Sequence, residues 1–222
     1  VTLNLTLTAA DDIDADGPGS ATTGSSGGGS FPVSAILDNF NRANEGPPPS
    51  TSWTTSWNVG ADGHKVVSNQ LNANTSDGSS YWNVQTFGPN CEVYATMVDT
   101  QGVYAQLGAR LTSVGTSSLN GYAVSREDNS TIAVKKWAAG SESQLGATFS
   151  QSFTAGDSMG MTVTGSNPTV IEVWYKVGAG AWTSLGTRSD STSPNTAAGN
   201  IGIRSGASSG SPKWDDFGGG TV

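Results

Sequence analysis

Thr169-Val-Ile-Glu-Val-Trp-Tyr-Lys-Val-Gly-Ala-Gly-Ala-Trp-Thr-Ser-Leu-Gly-Thr-Arg188 decides the fold class. Ile171, Val173, Tyr175 and Val177 fall at alternate positions, with Glu172, Trp174 and Lys176 between them. That is the two-residue period of a strand with one face in an apolar interior and the other outside. Gly178-Ala-Gly180 follows, and glycine tolerates the positive φ of a tight reversal, so residues 169–177 and 181–188 are expected to form a hairpin. Upstream, Met159, Met161 and Val163 repeat the alternation. Further strands are expected at 35–40, 53–59, 65–73, 80–86, 92–99, 104–112, 121–127, 131–137, 144–149, 158–164, 200–204 and 213–217. Turn-forming clusters separate them, among them residues 44–52, Asp77-Gly78 and Asn120-Gly121. No ten-residue stretch carries a helical apolar stripe. About fourteen short strands at this spacing make an all-β, antiparallel two-sheet sandwich or barrel.

The composition agrees and removes other classes. Charged residues are 13% of the 222, against roughly 25% in an ordinary soluble domain, and the net charge is −8. Ten dispersed basic residues in an acidic chain do not track a phosphate backbone, so no nucleic-acid partner is expected. No apolar run approaches the roughly 18 residues of a membrane span. A single Cys, Cys91, excludes an internal disulfide framework, and a single His, His64, leaves little for histidine chemistry. Low charge with abundant Gly, Ser, Thr and Asn is typical of β-proteins exposed outside cells. The chain opens on Val1 without the charged and apolar regions of a signal peptide. A virion component, made inside a bacterium and used outside it, meets both conditions.

Residues 1–30 read as a separate unit from the sandwich expected over 31–222. Val1, Leu3, Leu5 and Leu7 alternate with Thr and Asn, the pattern of one half-buried strand. One strand is not stable alone, so its apolar stripe is expected to anchor on a neighbouring subunit by strand addition. Asp12, Asp14 and Asp16 before Gly17 match the first half of a calcium loop, whereas the twelfth position, where a bidentate Glu belongs, is Thr23. An acidic, solvated linker is the plainer reading, with a structural calcium as the alternative. The Gly/Ser-rich stretch that follows has a flexible linker's composition.

The body then resembles a known family. Leu37-Asp-Asn-Phe-Asn-Arg42, Trp53 and Trp57, Leu107-Gly-Ala-Arg-Leu111, Asn120-Gly-Tyr-Ala-Val124, Ile132-Ala-Val-Lys-Lys-Trp137, Ile171-Glu-Val-Trp-Tyr-Lys176, Gly202-Ile-Arg204 and Trp214-Asp-Asp-Phe217 are similar to concanavalin A-like (LamG-like) jelly-roll domains. The resemblance covers residues 31–222 and implies a last strand that returns beside the first. It fits domains of phage virion-associated and glycan-binding proteins, a range too wide to assign function. Asp38 with Asp215 or Asp216, near the terminal strands, is a second calcium candidate weighed against plain surface acids.

Catalysis finds little support in the residues. Jelly-roll glucanases carry carboxylates in an alternating Glu-x-Asp-x-(x)-Glu run, and none occurs here. Glu127-Asp128 is adjacent and precedes a turn, and His64 in Asp62-Gly-His-Lys65 reads as a surface turn residue. No Gly-x-Ser-x-Gly elbow exists. Cys91 reads as a small core residue. Glycan binding, by contrast, needs aromatic faces beside hydrogen-bonding side chains. Trp174, Trp137, Tyr122, Trp82, Tyr81, Arg126 and Arg110 are the candidates, with Trp174 first because Val173 and Tyr175 already supply its strand's inner face. Trp53, Trp57 and Trp214 are expected in the core. The sequence therefore reads as a non-enzymatic external structural or adhesion module, a phage decoration, fibre or tail-associated protein that is oligomeric or lattice-bound. The alternative is a secreted carbohydrate-binding module of a larger protein, and a third is an unrecognised glycan-cleaving enzyme.

Overall fold

The computed structural model describes residues 30–101, 103–206 and 212–222. In chain order the strands are β1 (Ile36–Asp38), β2 (Trp53–Thr55), β3 (His64–Val67), β4 (Gln70–Ala73), β5 (Gly78–Trp82), β6 (Cys91–Met97), β7 (Ala105–Thr112) and β8 (Asn120–Arg126). There follow β9 (Thr131–Ala138), β10 (Ser141–Gln144), β11 (Phe149–Ser150), β12 (Ser158–Thr164), β13 (Thr169–Lys176), β14 (Trp182–Asp190), β15 (Asn200–Ser205) and β16 (Trp214–Thr221). All pair antiparallel within two sheets. The first sheet runs β14-β13-β12-β6-β16-β4-β3, with β1 also on β16; the second runs β10-β9-β8-β7-β15-β5-β2, with β11 on β9. The last strand thus lies beside the first, as the resemblance implies. No described helix is long and apolar enough to cross a membrane.

Alternation decides which side chains meet between the sheets. Met161 of β12 stands between Val93 of β6 and Val173 of β13 in register, with Met159 and Val163 on the same face, and all are fully buried. From the second sheet, Leu107, Ala109, Tyr122, Val124, Ile132 and Val134 join the same cluster. Cys91 belongs to it too, and burial pushes its thiol up to about 11. A smaller cluster of Trp57, Leu111, Leu119, Ala123 and Trp137 sits on the far side of the second sheet. Trp53, Trp57 and Trp214 are all core as expected, Trp57 in this second cluster.

Asp38 knots the start of the domain. Its carboxylate accepts the Phe40 backbone N–H at 2.8 Å, the Trp53 indole N–H at 2.8 Å, and both Arg42 terminal nitrogens at 2.6 and 3.0 Å. The Leu37–Arg42 similarity therefore has a structural reason: it builds this knot.

Three local expectations change. Residues 65–73 are not one strand but the hairpin β3–β4, because Ser68 and Asn69 both adopt positive φ, 54° and 60°. Ala139-Gly140 turns the chain the same way, at 46° and 78°, so β10 starts earlier than expected. Val177 lies past the end of β13 and is 63% exposed, since the turn takes over at that position.

His64 is the larger correction. It is wholly buried, with Nδ1 3.0 Å from Ser80 Oγ and Nε2 3.1 Å from Ser205 Oγ. Ser205 Oγ also receives the Trp214 indole N–H at 2.9 Å and donates to the Pro212 carbonyl at 2.9 Å. Burial pushes the imidazole pKa from 6.5 down to about 3. Below about pH 6.5 the unfolded chain takes a proton on His64 that the folded chain refuses until about pH 3, so acidification through that window destabilises the fold. The contribution is at most about 1.4 kcal/mol per pH unit. Because the chain has one His, its NMR titration is unambiguous. The ring resonances are expected to stay at their neutral positions from pH 8 to pH 4; a midpoint near 6.5 would place His64 in solvent.

Candidate functional site

Each sheet has an outer face, built from the alternate residues that the core does not use. On the second sheet, Gln106 of β7 stands opposite Ser125 of β8, and Ser125 stands opposite Ala133 of β9. Lys135 and Trp137 continue that face along β9, and Glu142 of β10 pairs across from Trp137. Glu127 lies just past β8, on the same side as Ser125. Gln106 Nε2 donates to Glu142 Oε2 at 3.0 Å, across β8 and β9. A flat sheet would hold β7 and β10 about 14 Å apart, so this face curls and its edge leans over its centre. Lys135 Nζ meets Glu127 Oε2 at 3.0 Å, with both side chains mostly buried.

Several atoms here lack a partner. Gln106 Oε1, Ser125 Oγ, Glu127 Oε1 and the Trp137 indole nitrogen are buried and have no hydrogen-bond partner among the described residues. Gln106 and Ser125 are fully buried, and Trp137 is 6% exposed. An unsatisfied buried polar atom costs about 1–3 kcal/mol, so this face holds polar capacity that the strands themselves do not use. The unmet capacities are mixed: Gln106 and Glu127 need donors, Trp137 needs an acceptor, and Ser125 can supply or accept. Groups that both donate and accept, hydroxyls above all, complement that set.

The sequence candidates are distributed differently. Trp137 is in this face, stacked edge-on against Trp57 at 6.2 Å. Tyr81 packs beside the same outer cluster. Trp82 lies against the inter-sheet core, edge-on to Trp53 at 5.5 Å. Tyr122 is wholly buried between the sheets; its hydroxyl donates to Asp190 Oδ2 at 2.8 Å, and burial together with that carboxylate pushes its pKa up to about 12. Burial alone would raise Asp190, but Lys136, 2.7 Å away, and the Tyr122 hydroxyl outweigh it and hold the carboxyl below its ordinary value.

Both candidate arginines are interior braces rather than ligand-facing groups. Arg110, at a bulge with φ 50°, donates to the carbonyls of Pro89, Gly165 and Asn195 and to Thr169 Oγ1, tying four segments together. Arg126 donates to Asn129 Oδ1 at 2.7 Å and to the carbonyls of Thr100 and Gln101, over the Phe153 ring. Burial lowers the pKa of each. Trp174 is on the outer face of the first sheet as expected, but the Phe31 ring covers it, parallel at 4.8 Å. Gln106 and Ser125 were not among the sequence candidates; an isolated Gln and Ser at alternate strand positions look like ordinary solvent-facing residues.

The acidic candidates near the terminal strands form no metal centre among the described residues. Asp12, Asp14 and Asp16, like the proposed anchor Val1, Leu3, Leu5 and Leu7, lie outside the described residues. β1 and β16 do pair, and a cleft of about 380 Å³ lined by Asp38 and Asp216 opens beside them. Asp38, however, is committed to its knot, and Asp215 is raised by burial and by the charges of Asp216 and Asp38. Among the described residues no group of three or more His, Cys, Asp or Glu could hold a metal ion. Glu127-Asp128 is a turn pair, with Asp128 accepting from Ser130 N–H at 2.7 Å.

No family model matches the chain, and no curated protein matches it in sequence. Solved structures do match in shape. The VIP36 exoplasmic/lumenal domain in its Ca2+/Man2-bound form gives a TM-score of 0.54 at 10% identity, covering 83% of this chain and 86% of that one. A prokaryotic β-1,3-1,4-glucanase (lichenase) derived from a mouse hindgut metagenome gives 0.52 at 11%, covering 82% and 96%. The GH43 protein BlXynB of Bacillus licheniformis gives 0.53 at 12%, and there the match covers 82% of this chain and 38% of the larger one. Layering, strand order and these matches together show that the chain has the concanavalin A-like jelly-roll fold.

Proposed function

We propose that the chain is a non-catalytic glycan-binding module that takes a neutral oligosaccharide on the outer face of its second sheet. The observation that carries this reading is the set of buried, unpartnered polar atoms on Gln106, Ser125, Glu127 and Trp137, which hydroxyl groups would satisfy. The net charge of −8 disfavours polyanionic glycans. Matching folds include a Man2-bound form and a glucanase, which makes neutral mannans and β-glucans the first ligands to test. Binding is preferred to cleavage because the face's two carboxylates are already held, Glu127 by Lys135 and Glu142 by Gln106, and no third acid alternates with them.

The narrower reading places this module outside the cell on a phage particle or other external assembly, anchored through residues 1–30; the alternative is a secreted protein that carries it as one module. The apolar alternation of Val1, Leu3, Leu5 and Leu7 supports the anchor. Deleting residues 1–30 is expected to leave the melting temperature and glycan affinity unchanged while abolishing incorporation into the assembly. Normal incorporation of the truncated chain would refute the anchor.

Gln106→Met tests the site itself. It removes an orphaned acceptor together with the amide donor to Glu142 Oε2, effects of opposite sign, so the melting temperature is expected to change little, while oligosaccharide affinity measured by calorimetry falls about tenfold or more. No reducing ends should appear during the same incubations. Unchanged affinity, or a stability loss of several kcal/mol, would show that Gln106 is purely structural.

A further inference from the structure

The outer face of the first sheet carries a receptor that the chain fills with its own residues. Tyr94 of β6, Gly160 of β12 and Trp174 of β13 stand side by side in one row. Trp182 of β14 closes one side, and Gly218 of β16 lies beyond Tyr94. The glycines leave the floor bare: a Cβ on Gly160 would sit 2.6 Å from the Phe31 ring, and one on Gly218 would sit 2.2 Å from the Tyr94 ring. Phe31 occupies the slot, stacked on Trp174 with 5° between the ring planes and edge-on to Trp182 at 4.8 Å and Tyr94 at 6.1 Å. The Trp174 indole is held independently, by its N–H to Thr162 Oγ1 at 2.8 Å.

A second element completes the receptor. Glu92, one row along on β6, is 1% exposed. Its carboxylate accepts the backbone N–H groups of Val33 at 2.9 Å and Ser34 at 2.6 Å, together with the Ser34 hydroxyl. Tyr94 in turn donates its hydroxyl to the Ser34 carbonyl at 2.9 Å. Residues 31–34 therefore deliver one flat ring to an aromatic slot and three donors to a buried carboxylate. The receptor side consists of strand residues whose backbones are fixed by the sheet. It does not depend on the segment for its shape.

We propose that this receptor is a second glycan site, occupied in the resting chain by residues 31–34 and opened when they leave. A pyranose ring presents a flat C–H face that replaces Phe31 on Trp174, and its hydroxyls replace the donors at Glu92. Trp174 and Glu92 are two strands apart, about 10 Å across the sheet, so the ligand is an oligosaccharide rather than a single sugar. The tethered segment competes at high local concentration, and apparent affinity falls by the fraction of molecules in which the slot is open. The class of ligand rests on the glycan reading above, but the residues are different.

Phe31→Ala in the full chain tests this, probed by calorimetry with cellopentaose, laminaripentaose and mannopentaose. It is expected to bind at least one of them about tenfold or more tightly than the parent. The gain should vanish in Phe31→Ala/Trp174→Ala and survive in Phe31→Ala/Gln106→Met. Survival there, with no effect of Gln106→Met in the parent, would refute the second-sheet site and leave this one standing. Phe31→Leu, which fills the slot without a flat ring, is expected to shift affinity in the same direction and serves if the alanine variant unfolds. No gain in a folded variant, or a gain that does not require Trp174, overturns the proposal. So does a slot that accepts a synthetic peptide of residues 30–36 but none of the sugars, which would point to exchange of this segment between copies.

Discussion

Two sheets share one apolar interior, and that single constraint divides every strand's residues into two sets. One set must be apolar, close-packed and inaccessible; whatever the molecule does to other molecules falls to the other. The division is strict along β13, where Ile171, Val173 and Tyr175 are buried and Val170, Glu172 and Trp174 are not fully so. It makes the two outer faces the natural places for recognition. They differ in chemistry: the second sheet presents unsatisfied polar atoms beside Trp137, while the first presents an aromatic slot beside a buried carboxylate.

Buried polar groups elsewhere tie segments of the fold together. Arg110 and Arg126 gather loop carbonyls that no strand pairs, and the Asp38 knot and the His64–Ser205–Trp214 network hold neighbouring segments in place. These groups have partners and thus little left to offer a ligand. The indoles separate in the same way: Trp53, Trp57, Trp174 and Trp214 each donate to a protein oxygen, whereas the buried Trp137 nitrogen has no acceptor among the described residues. This contrast, rather than aromatic exposure, marks the second-sheet face.

The fold was legible because strand periodicity is local. Residues 171–176 and 159–163 announce their inner face within a few positions, and Gly178-Ala-Gly180 announces its turn. The β3–β4 hairpin was not legible, since Ser68 and Asn69 turn the chain without glycine or proline. The sites were harder to read because their partners are remote. His64 looks like a turn residue until Ser205, 141 positions away, is seen beside it. Trp174 was identifiable as an outward aromatic, but nothing in its neighbourhood names Phe31 as its cover. Gln106 becomes a candidate only when its burial and its reach to Glu142 are known, and both depend on the curl of the sheet.

On this account sugar hydroxyls bind at the outer face of the second sheet. The most direct measurement is a 1H–15N titration of the seven tryptophan indoles with neutral oligosaccharides. The Trp137 indole N–H, which has no acceptor among the described residues, is expected to shift as it gains one, while the indoles of Trp53, Trp57 and Trp214, already bonded to Asp38, Ile203 and Ser205, hold their positions. A saturating ligand that leaves the Trp137 resonance unmoved would contradict it.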